Sequence, residues 1–414
     1  MIHSPTPFAY ACRRVYIAAF LALPLLGSHT AASPGSPNTQ PSPHLYRVFE
    51  ATADRKTYGF IDAAGRIVVP PRFSGARDFS DGLALVWDSS GQFFLDSSGA
   101  IAFRVPAGCE WISNFSEGLC AINKGGRPEI DGVSAGVWGY LTRNGDVAIE
   151  ARFSGPVDRP VGAFSEGRAA FTDNGKWGYI DLQGKVAIRP AFDEVRSFRD
   201  GVAPVRRDKK WFLVAPGGDV ATEPRFDELL VFSEGLGAAR VGKTVGFIRR
   251  EGDWAFTLPA SAQFGQAARF SDGLAAILLP MHGVAGAGES CPHCGLPVAG
   301  IRYGGKCPHC GFELVGPRRY GYVDRDGREV VEAVFNDARP FSEDLAAVQQ
   351  KSGGPWGFID RRGRFAITAR FSSVDGNGFR AGLARVGIGR NDLGWNSYID
   401  TRGRVVWSSR DGAD

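Results

Sequence analysis

One phrase is written eight times along this chain. It opens on aromatic-Gly-aromatic-aliphatic-Asp, passes a turn glycine, and closes on Phe-Ser-Glu-Gly-Leu-Ala-x-Val. The clearest openings are Trp177-Gly178-Tyr179-Ile180-Asp181 and Trp356-Gly357-Phe358-Ile359-Asp360. The closing phrase recurs at Phe79-Ser80-Asp81-Gly82, Phe115-Ser116-Glu117-Gly118, Phe164-Ser165-Glu166-Gly167 and Phe232-Ser233-Glu234-Gly235. Self-similarity at a fixed period constrains architecture more than any single residue, because each copy is one structural unit that buries its apolar faces only against its neighbours.

Each unit reads as three short strands. In the first, alternation places Trp177, Tyr179 and Asp181 on one face and Ile180 on the other. An Asp-x-x-Gly turn follows, as at Asp62–Gly65, Asp181–Gly184, Asp324–Gly327 and Asp360–Gly363. The Asp can accept from the backbone two residues on, and the Gly supplies a positive φ. The second strand runs to a Pro and an Arg/Ala-Phe pair, as in Val186-Ala187-Ile188-Arg189-Pro190-Ala191-Phe192, and the third carries Leu-Ala-x-Val. Helical periodicity is absent, and Phe164, Phe198 and Phe232 mark the tightest period, 34 residues. This short-strand pattern predicts an all-β stack of small sheets with an aromatic layer in each.

The Trp-Gly-Tyr/Phe-Ile-Asp and Phe-Ser-Glu-Gly-Leu-Ala phrases resemble the WG repeat of bacterial proteins over nearly all of residues 45–407. Two copies depart from the pattern: Trp211-Phe212-Leu213-Val214 lacks the Gly, and Gln92-Phe93-Phe94-Leu95 lacks both Trp and Gly. The resemblance implies a propeller-like all-β fold and supplies no catalytic residues. The expectation is a closed ring of about eight to nine three-stranded units; the alternative is an open β-hairpin solenoid with capped ends. Leu45-Tyr46-Arg47-Val48 resembles a third strand, and Tyr398-Ile399-Asp400 through Trp407 supplies a first and a second. The two chain ends are therefore expected to build one composite ninth unit.

Outside the repeats, residues 1–32 read as a cleaved signal peptide. Arg13 and Arg14 precede an apolar run from Val15 to Leu26, with small residues at Thr30-Ala31-Ala32. That run is too short for a membrane span, which needs about 20 residues. Residues 33–44 form a Pro/Ser-rich linker, residues 45–279 and 318–407 the two parts of the repeat domain, and 408–414 a tail. The chain is thus expected in the periplasm or secreted. Its formal charge of +4 falls to +2 once Arg13 and Arg14 leave, too little and too evenly spread to favour nucleic acid or an anionic membrane surface.

Residues 280–317 interrupt the repeat with Cys291-Pro292-His293-Cys294-Gly295 and Cys307-Pro308-His309-Cys310-Gly311. Two Cys-x-x-Cys-Gly knuckles can place four thiolates around one structural Zn²⁺, with the glycines turning the chain so that backbone amides face the sulfurs. The insert resembles a zinc ribbon, and Cys291, Cys294, Cys307 and Cys310 are the expected ligands. Four sulfurs fill the site, so His293 and His309 are not ligands and no position remains for catalytic water. An oxidising compartment makes two disulfides the alternative. Cys109 and Cys120 fall in one repeat, either as two buried thiols or as a disulfide.

Other signals dissolve into the repeat. Gly237-Ala238-Ala239-Arg240-Val241-Gly242-Lys243-Thr244 matches a phosphate-loop pattern, yet a repeat strand follows it rather than a helix. Asp324-Arg325-Asp326-Gly327 hints at a calcium loop but occupies the common turn. Asp81, Glu117, Glu166, Glu234, Asp272 and Glu343 form a series of carboxylates for which turn chemistry is sufficient reason. Past residue 32 the only histidines are His44, His282, His293 and His309, which assemble no nucleophilic set on the repeats. The favoured expectation is an exported non-catalytic scaffold for a protein or envelope polymer. The alternative is a carbohydrate-active hydrolase with paired carboxylates.

Overall fold

A computed structural model describes residues 44–409, apart from 52–54, 126–127, 130–131, 134–135, 155–161, 266–267, 282–284, 286–287, 304, 315 and 390–396. The expected signal peptide and most of the linker lie outside the described residues. The described chain is all β and forms nine antiparallel sheets of three or four strands, with one added two-stranded hairpin at Pro128–Glu129 and Gly132–Val133. The sheets follow one another as blades 1 to 9, at residues 46–73, 75–104, 109–154, 169–192, 194–214, 228–258, 270–335, 337–371 and 373–408.

Blade 8 shows the plan. Asp337–Ala338 pairs with Ala346–Gln349, which pairs with Trp356–Ile359, which pairs with Phe365–Phe371. The Leu-Ala-x-Val strand therefore belongs to the same sheet as the Trp-Gly strand that follows it. The expected three strands are present in every blade but blade 5, and seven blades, 2, 3 and 5 to 9, gain a further strand at or ahead of the Phe-Ser-Glu-Gly turn. Two residues of that strand, such as Gly75–Ala76 or Glu228–Leu229, are too few to show periodicity.

The glycine of Trp-Gly is required by space, not by φ. A Cβ on Gly178 would stand 2.5 Å from the Ile188 carbonyl oxygen and 2.8 Å from the Pro190 nitrogen. Gly59, Gly139 and Gly321 face the same backbone contacts, and the ladder shifts register beside each. The partner strand bulges over the glycine, and only a missing side chain leaves room. In blade 5 Phe212 takes the glycine's place and no continuous outer strand forms; only the bridges Trp211–Phe226 and Val214–Val220 remain.

Both faces of every sheet are buried against neighbours. Tyr179 packs toward blade 5 with Phe198, whereas Ile180 packs toward blade 3 with Trp138 and Tyr140, as the alternation predicts. Nine core clusters fill the nine gaps between blades, including the gap between blades 9 and 1, where Tyr46, Val48 and Ile61 meet Leu383 and Tyr398. The blades form a closed propeller-like ring.

The closure differs from the composite unit expected. Tyr46–Ala51 pairs in register with Lys56–Ile61, and Leu383–Gly387 pairs with Ser397–Asp400, so each end completes its own sheet. A strand beside its own hairpin partner closes a short loop, which costs less entropy than joining the far terminus. The ends meet through side chains instead.

Candidate functional site

Eight Phe-Ser-Glu-Gly turns, in blades 2 to 9, link the blades at the ring's inner rim. In seven of the eight turns the phenylalanine packs at a steep angle against the previous blade's aromatic residue, as Tyr140 on Phe164, Tyr179 on Phe198, Phe247 on Phe270 and Tyr322 on Phe341, with centroids 4.8 to 4.9 Å apart; Phe232 meets Leu213 instead. Such pairs add about 0.5–1.5 kcal/mol beyond burial. Tyr179 Oη also donates to Arg196 O at 2.7 Å, and Tyr322 Oη to Arg339 O at 2.8 Å.

The serine and the acid of the turn reach the next blade. Ser80, Ser116, Ser165, Ser233 and Ser271 each donate through Oγ to the next turn's Phe carbonyl, at 2.6 to 2.7 Å. The acidic residues stand at φ 51–55° and accept from the next turn's backbone amides. Asp81 accepts from Gly118 N at 2.6 Å, and Glu117 from Glu166 N and Gly167 N at 2.6 and 2.8 Å. Glu166 accepts from Gly201 N, Asp200 from Gly235 N, Glu234 from Gly273 N, Asp272 from Asp344 N, and Glu343 from Gly382 N. The carboxylate series is thus a relay of charge-assisted hydrogen bonds that holds blade to blade. Asp200 belongs to it, although the arginine in the serine's place, Arg199, hides that turn in the sequence.

The relay stops at blade 9, where Ala381 takes the acid's place at φ 46°. Across this seam Tyr46 Oη donates to Arg380 O at 2.9 Å and Ala381 O at 2.7 Å, and Tyr398 Oη donates to Arg47 O at 2.8 Å. The two rings meet edge-on at 5.4 Å, replacing the usual Tyr-Phe pair. Below them Arg385 pairs with Asp375 at 2.6 Å and reaches Asp78 at 3.6 Å, and Arg47 pairs with Asp78 at 3.0 Å. Blades 9, 1 and 2 share this ionic chain beside a small cavity that includes His44. Burial, then the charge of Arg380, holds His44 below its ordinary pKa.

A larger cavity of about 560 Å³ lies inside the ring. It is lined by Arg196 and Arg199 of blade 5, Leu230 and Ser233 of blade 6, Arg269 before blade 7, and Asn377 and Arg380 of blade 9.

In blade 7 the insert leaves after Pro280 and returns at Arg318, with Met281 N donating to Pro317 O across its base. Antiparallel order puts it on the face opposite the Phe-Ser-Glu-Gly turns. All four expected ligand sulfurs, of Cys291, Cys294, Cys307 and Cys310, lie within 4.8 Å of one another. Cys291 and Cys310 are 3.7 Å apart, and Cys294 and Cys307 3.8 Å. A disulfide holds its sulfurs at about 2.05 Å. A ZnS₄ tetrahedron with Zn–S of about 2.3 Å has edges of about 3.8 Å. The four thiols therefore have the geometry to hold a metal ion. Gly295 and Gly311, at φ 74° and 72°, turn each knuckle as expected. Although burial opposes ionisation of Cys291, the amides of Cys294 and His293 together with the thiols of Cys307 and Cys310 outweigh it and hold its thiol down to about 6. His293 and His309 are exposed outside the sulfur cluster, with His293 stacked on Phe312 at 5.4 Å. Among the described residues, Ala285, Val298 and Leu314, with Ile301 and Tyr303 packed against them, make a small core beneath.

Cys109 and Cys120 are both buried in the gap between blades 2 and 3. Burial pushes the Cys120 thiol up to about 12. The phosphate-loop match is a hairpin between the strands Gly237–Val241 and Thr244–Ile248. The calcium-like segment is a turn in which Asp324 accepts from Asp326 N and Arg328 N at 3.0 and 2.9 Å. No described helix is long and apolar enough to cross a membrane.

The family model described as "WG containing repeat" matches residues 58–86, 102–127, 138–177, 177–211, 216–244, 320–352 and 356–390, together more than half of the chain. No curated protein matches at a significant level. Among solved structures, the crystal structure of a eukaryotic initiation factor aligns with TM-score 0.56 and 10% identity, over 88% of this chain and 95% of that one. Porphyromonas gingivalis dipeptidyl peptidase 4 aligns with TM-score 0.51 and 10% identity, over 82% of this chain and 60% of that one. Identities this low speak to fold alone.

Proposed function

This chain belongs to the WG-repeat family, and from that premise we propose that it is an exported, non-catalytic β-propeller scaffold for a protein or an envelope polymer. The observation that carries the reading is the relay at the inner rim. Seven repeat acids accept hydrogen bonds from the next blade's turn, so the carboxylates most regularly placed in the ring serve assembly. The departures from the repeat that line the inner cavity are arginines, whereas a glycoside hydrolase needs two carboxyl groups across the scissile bond. Export rests on residues 1–32, with Arg13 and Arg14 ahead of an apolar run.

One structural Zn²⁺ in the Cys291, Cys294, Cys307 and Cys310 site completes the reading. The near-tetrahedral sulfur spacing and the slight core under the knuckles support it, since a metal would supply folding energy that three buried aliphatic side chains do not. The ribbon then stands as a rigid contact element on one face of the ring.

The test uses the chain beginning at residue 33, immobilised and incubated with purified envelope fractions before and after protease digestion, beside a panel of chromogenic glycosides. Saturable retention of envelope material without turnover supports the scaffold. Turnover that an acid-to-amide substitution abolishes overturns it, as does failure to retain any fraction.

A further inference from the structure

We propose that the cavity inside the ring is a binding site for an anionic ligand carrying closely spaced oxyanion groups, received by Arg199, Arg269 and Arg380 with Arg196 beside them. This deepens the scaffold reading by naming the chemistry of what the ring binds.

The argument begins with departures from the repeat. Arg199 and Arg380 occupy the position at which six sister turns carry Ser80, Ser116, Ser165, Ser233, Ser271 and Ser342. Those serines each donate to the next blade's Phe carbonyl, Ser342 to that of Phe379, so the serine has a structural use that the arginine gives up. Arg269 stands just before Phe270, where the other turns carry Asp78, Asn114, Ala163, Ser197, Val231, Pro340 or Gly378. Two departures from the repeat, in blades 5 and 9, and one arginine at a variable position before blade 7 bring the same side chain to one cavity.

The second observation is the lack of counter-charge. Lining that space are four arginines and no Asp or Glu. Among the described residues, the guanidinium groups of Arg199, Arg269 and Arg380 make no hydrogen bond, ion pair or ring contact, whereas Arg196 donates to Leu229 O at 3.1 Å and lies over Trp211. The turn acids of blades 5, 7 and 8, Asp200, Asp272 and Glu343, are held by backbone amides of the following blade, and Asp78 and Asp375, which share the small neighbouring cavity with Arg380, are paired with Arg47 and Arg385. A concavity lined by one sign of charge focuses its field and concentrates counter-ions. The planar guanidinium fork matches the oxygen pairs of phosphate and carboxylate, and several forks converging from different blades select a ligand with several such groups.

The experiment is isothermal titration of the chain from residue 33 with tripolyphosphate in one arm and citrate in the other, at 50 and 200 mM salt. The expected result is saturable one-to-one binding that weakens at the higher salt, and the tighter arm identifies phosphate or carboxylate as the oxyanion. Arg199→Ser and Arg380→Ser restore the residue of sister turns and should fold normally; with Arg269→Ala, each should weaken binding about tenfold or more. Absence of saturable binding in both arms at 50 mM salt overturns the proposal. So does a triple variant that melts like the parent and binds as tightly. Envelope retention without titratable anion binding removes this inference alone, and anion binding without retention removes the scaffold reading alone.

Discussion

Replacing Tyr46 tests whether side chains at one seam close the ring. Tyr46 is 5% exposed, packs edge-on against Tyr398, and shares one hydroxyl proton between the carbonyls of Arg380 and Ala381. Tyr46→Phe keeps the ring contact and removes that proton. Both carbonyls belong to an exposed turn and rehydrate, so the loss is one net hydrogen bond, about 1 kcal/mol. Tyr46→Ala removes the ring as well and leaves a cavity, for a loss of about 3–5 kcal/mol. With an unfolding entropy of roughly 0.8 kcal/mol/K for a chain of this size, these become falls in Tm of about 1 °C and about 4–6 °C by calorimetry. The decisive reading is hydrogen exchange. Every other gap between blades is bridged by the chain itself, whereas the seam has only side chains. In Tyr46→Ala the amides of Tyr46–Ala51 and of Val405–Ser408 should lose protection together, because opening the seam frees both ends. Protection lost in blade 1 with blade 9 unchanged would refute the reasoning, since an open array frays from its damaged end alone.

Three further outcomes follow from the same geometry. Burial, then the charge of Glu343, pushes the Tyr46 hydroxyl from 10.0 up to about 12, so the unfolded chain loses this proton first as pH rises. The seam's contribution is therefore full below pH 10 and declines between pH 10 and 12; alkaline melts of the parent and Tyr46→Phe should converge across that window. Gly178→Ala pushes a methyl group against the Ile188 carbonyl and the Pro190 nitrogen, and should destabilise by about 1–3 kcal/mol in urea melts, whereas alanine at open Gly118 meets no atom and costs only backbone strain. Elemental analysis should find one zinc per chain, lost with Cys294→Ser; after chelation four thiols should react with a thiol reagent at pH 8, while buried Cys120, pushed up to about 12, stays inert until global unfolding.

The fold was legible because the repeat writes both of its faces. Alternation at Trp177, Tyr179 and Ile180 assigned each side chain to the gap it fills. What the sequence hid was the frame. Leu-Ala-x-Val reads as the end of a phrase, yet its strand pairs with the Trp-Gly strand that follows, and a two-residue strand such as Glu194–Val195 leaves no periodic trace. The composite ninth blade came from that misplaced frame. The grouping of the four cysteines was legible, because knuckle spacing and a glycine after each knuckle are local properties of the chain.

The acid of Phe-Ser-Glu-Gly was half legible. Turn chemistry explains a polar residue and a glycine at positive φ, but not why the polar residue should be an acid. Its partner is an amide about 35 to 70 residues on, so the reason exists only once two blades stand side by side. The same distance concealed the arginines. Arg199 and Arg380 look like ordinary surface substitutions in two separate copies until closure of the ring sets them around one space. A repeat protein states its scaffold in what recurs, and the positions to examine for binding are those where one copy gives up a structural bond that its sisters keep. Ser-to-Arg at 199 is such a position: it forgoes the hydroxyl link to blade 6 that sister serines make to their own neighbours, and places a charge in the cavity instead.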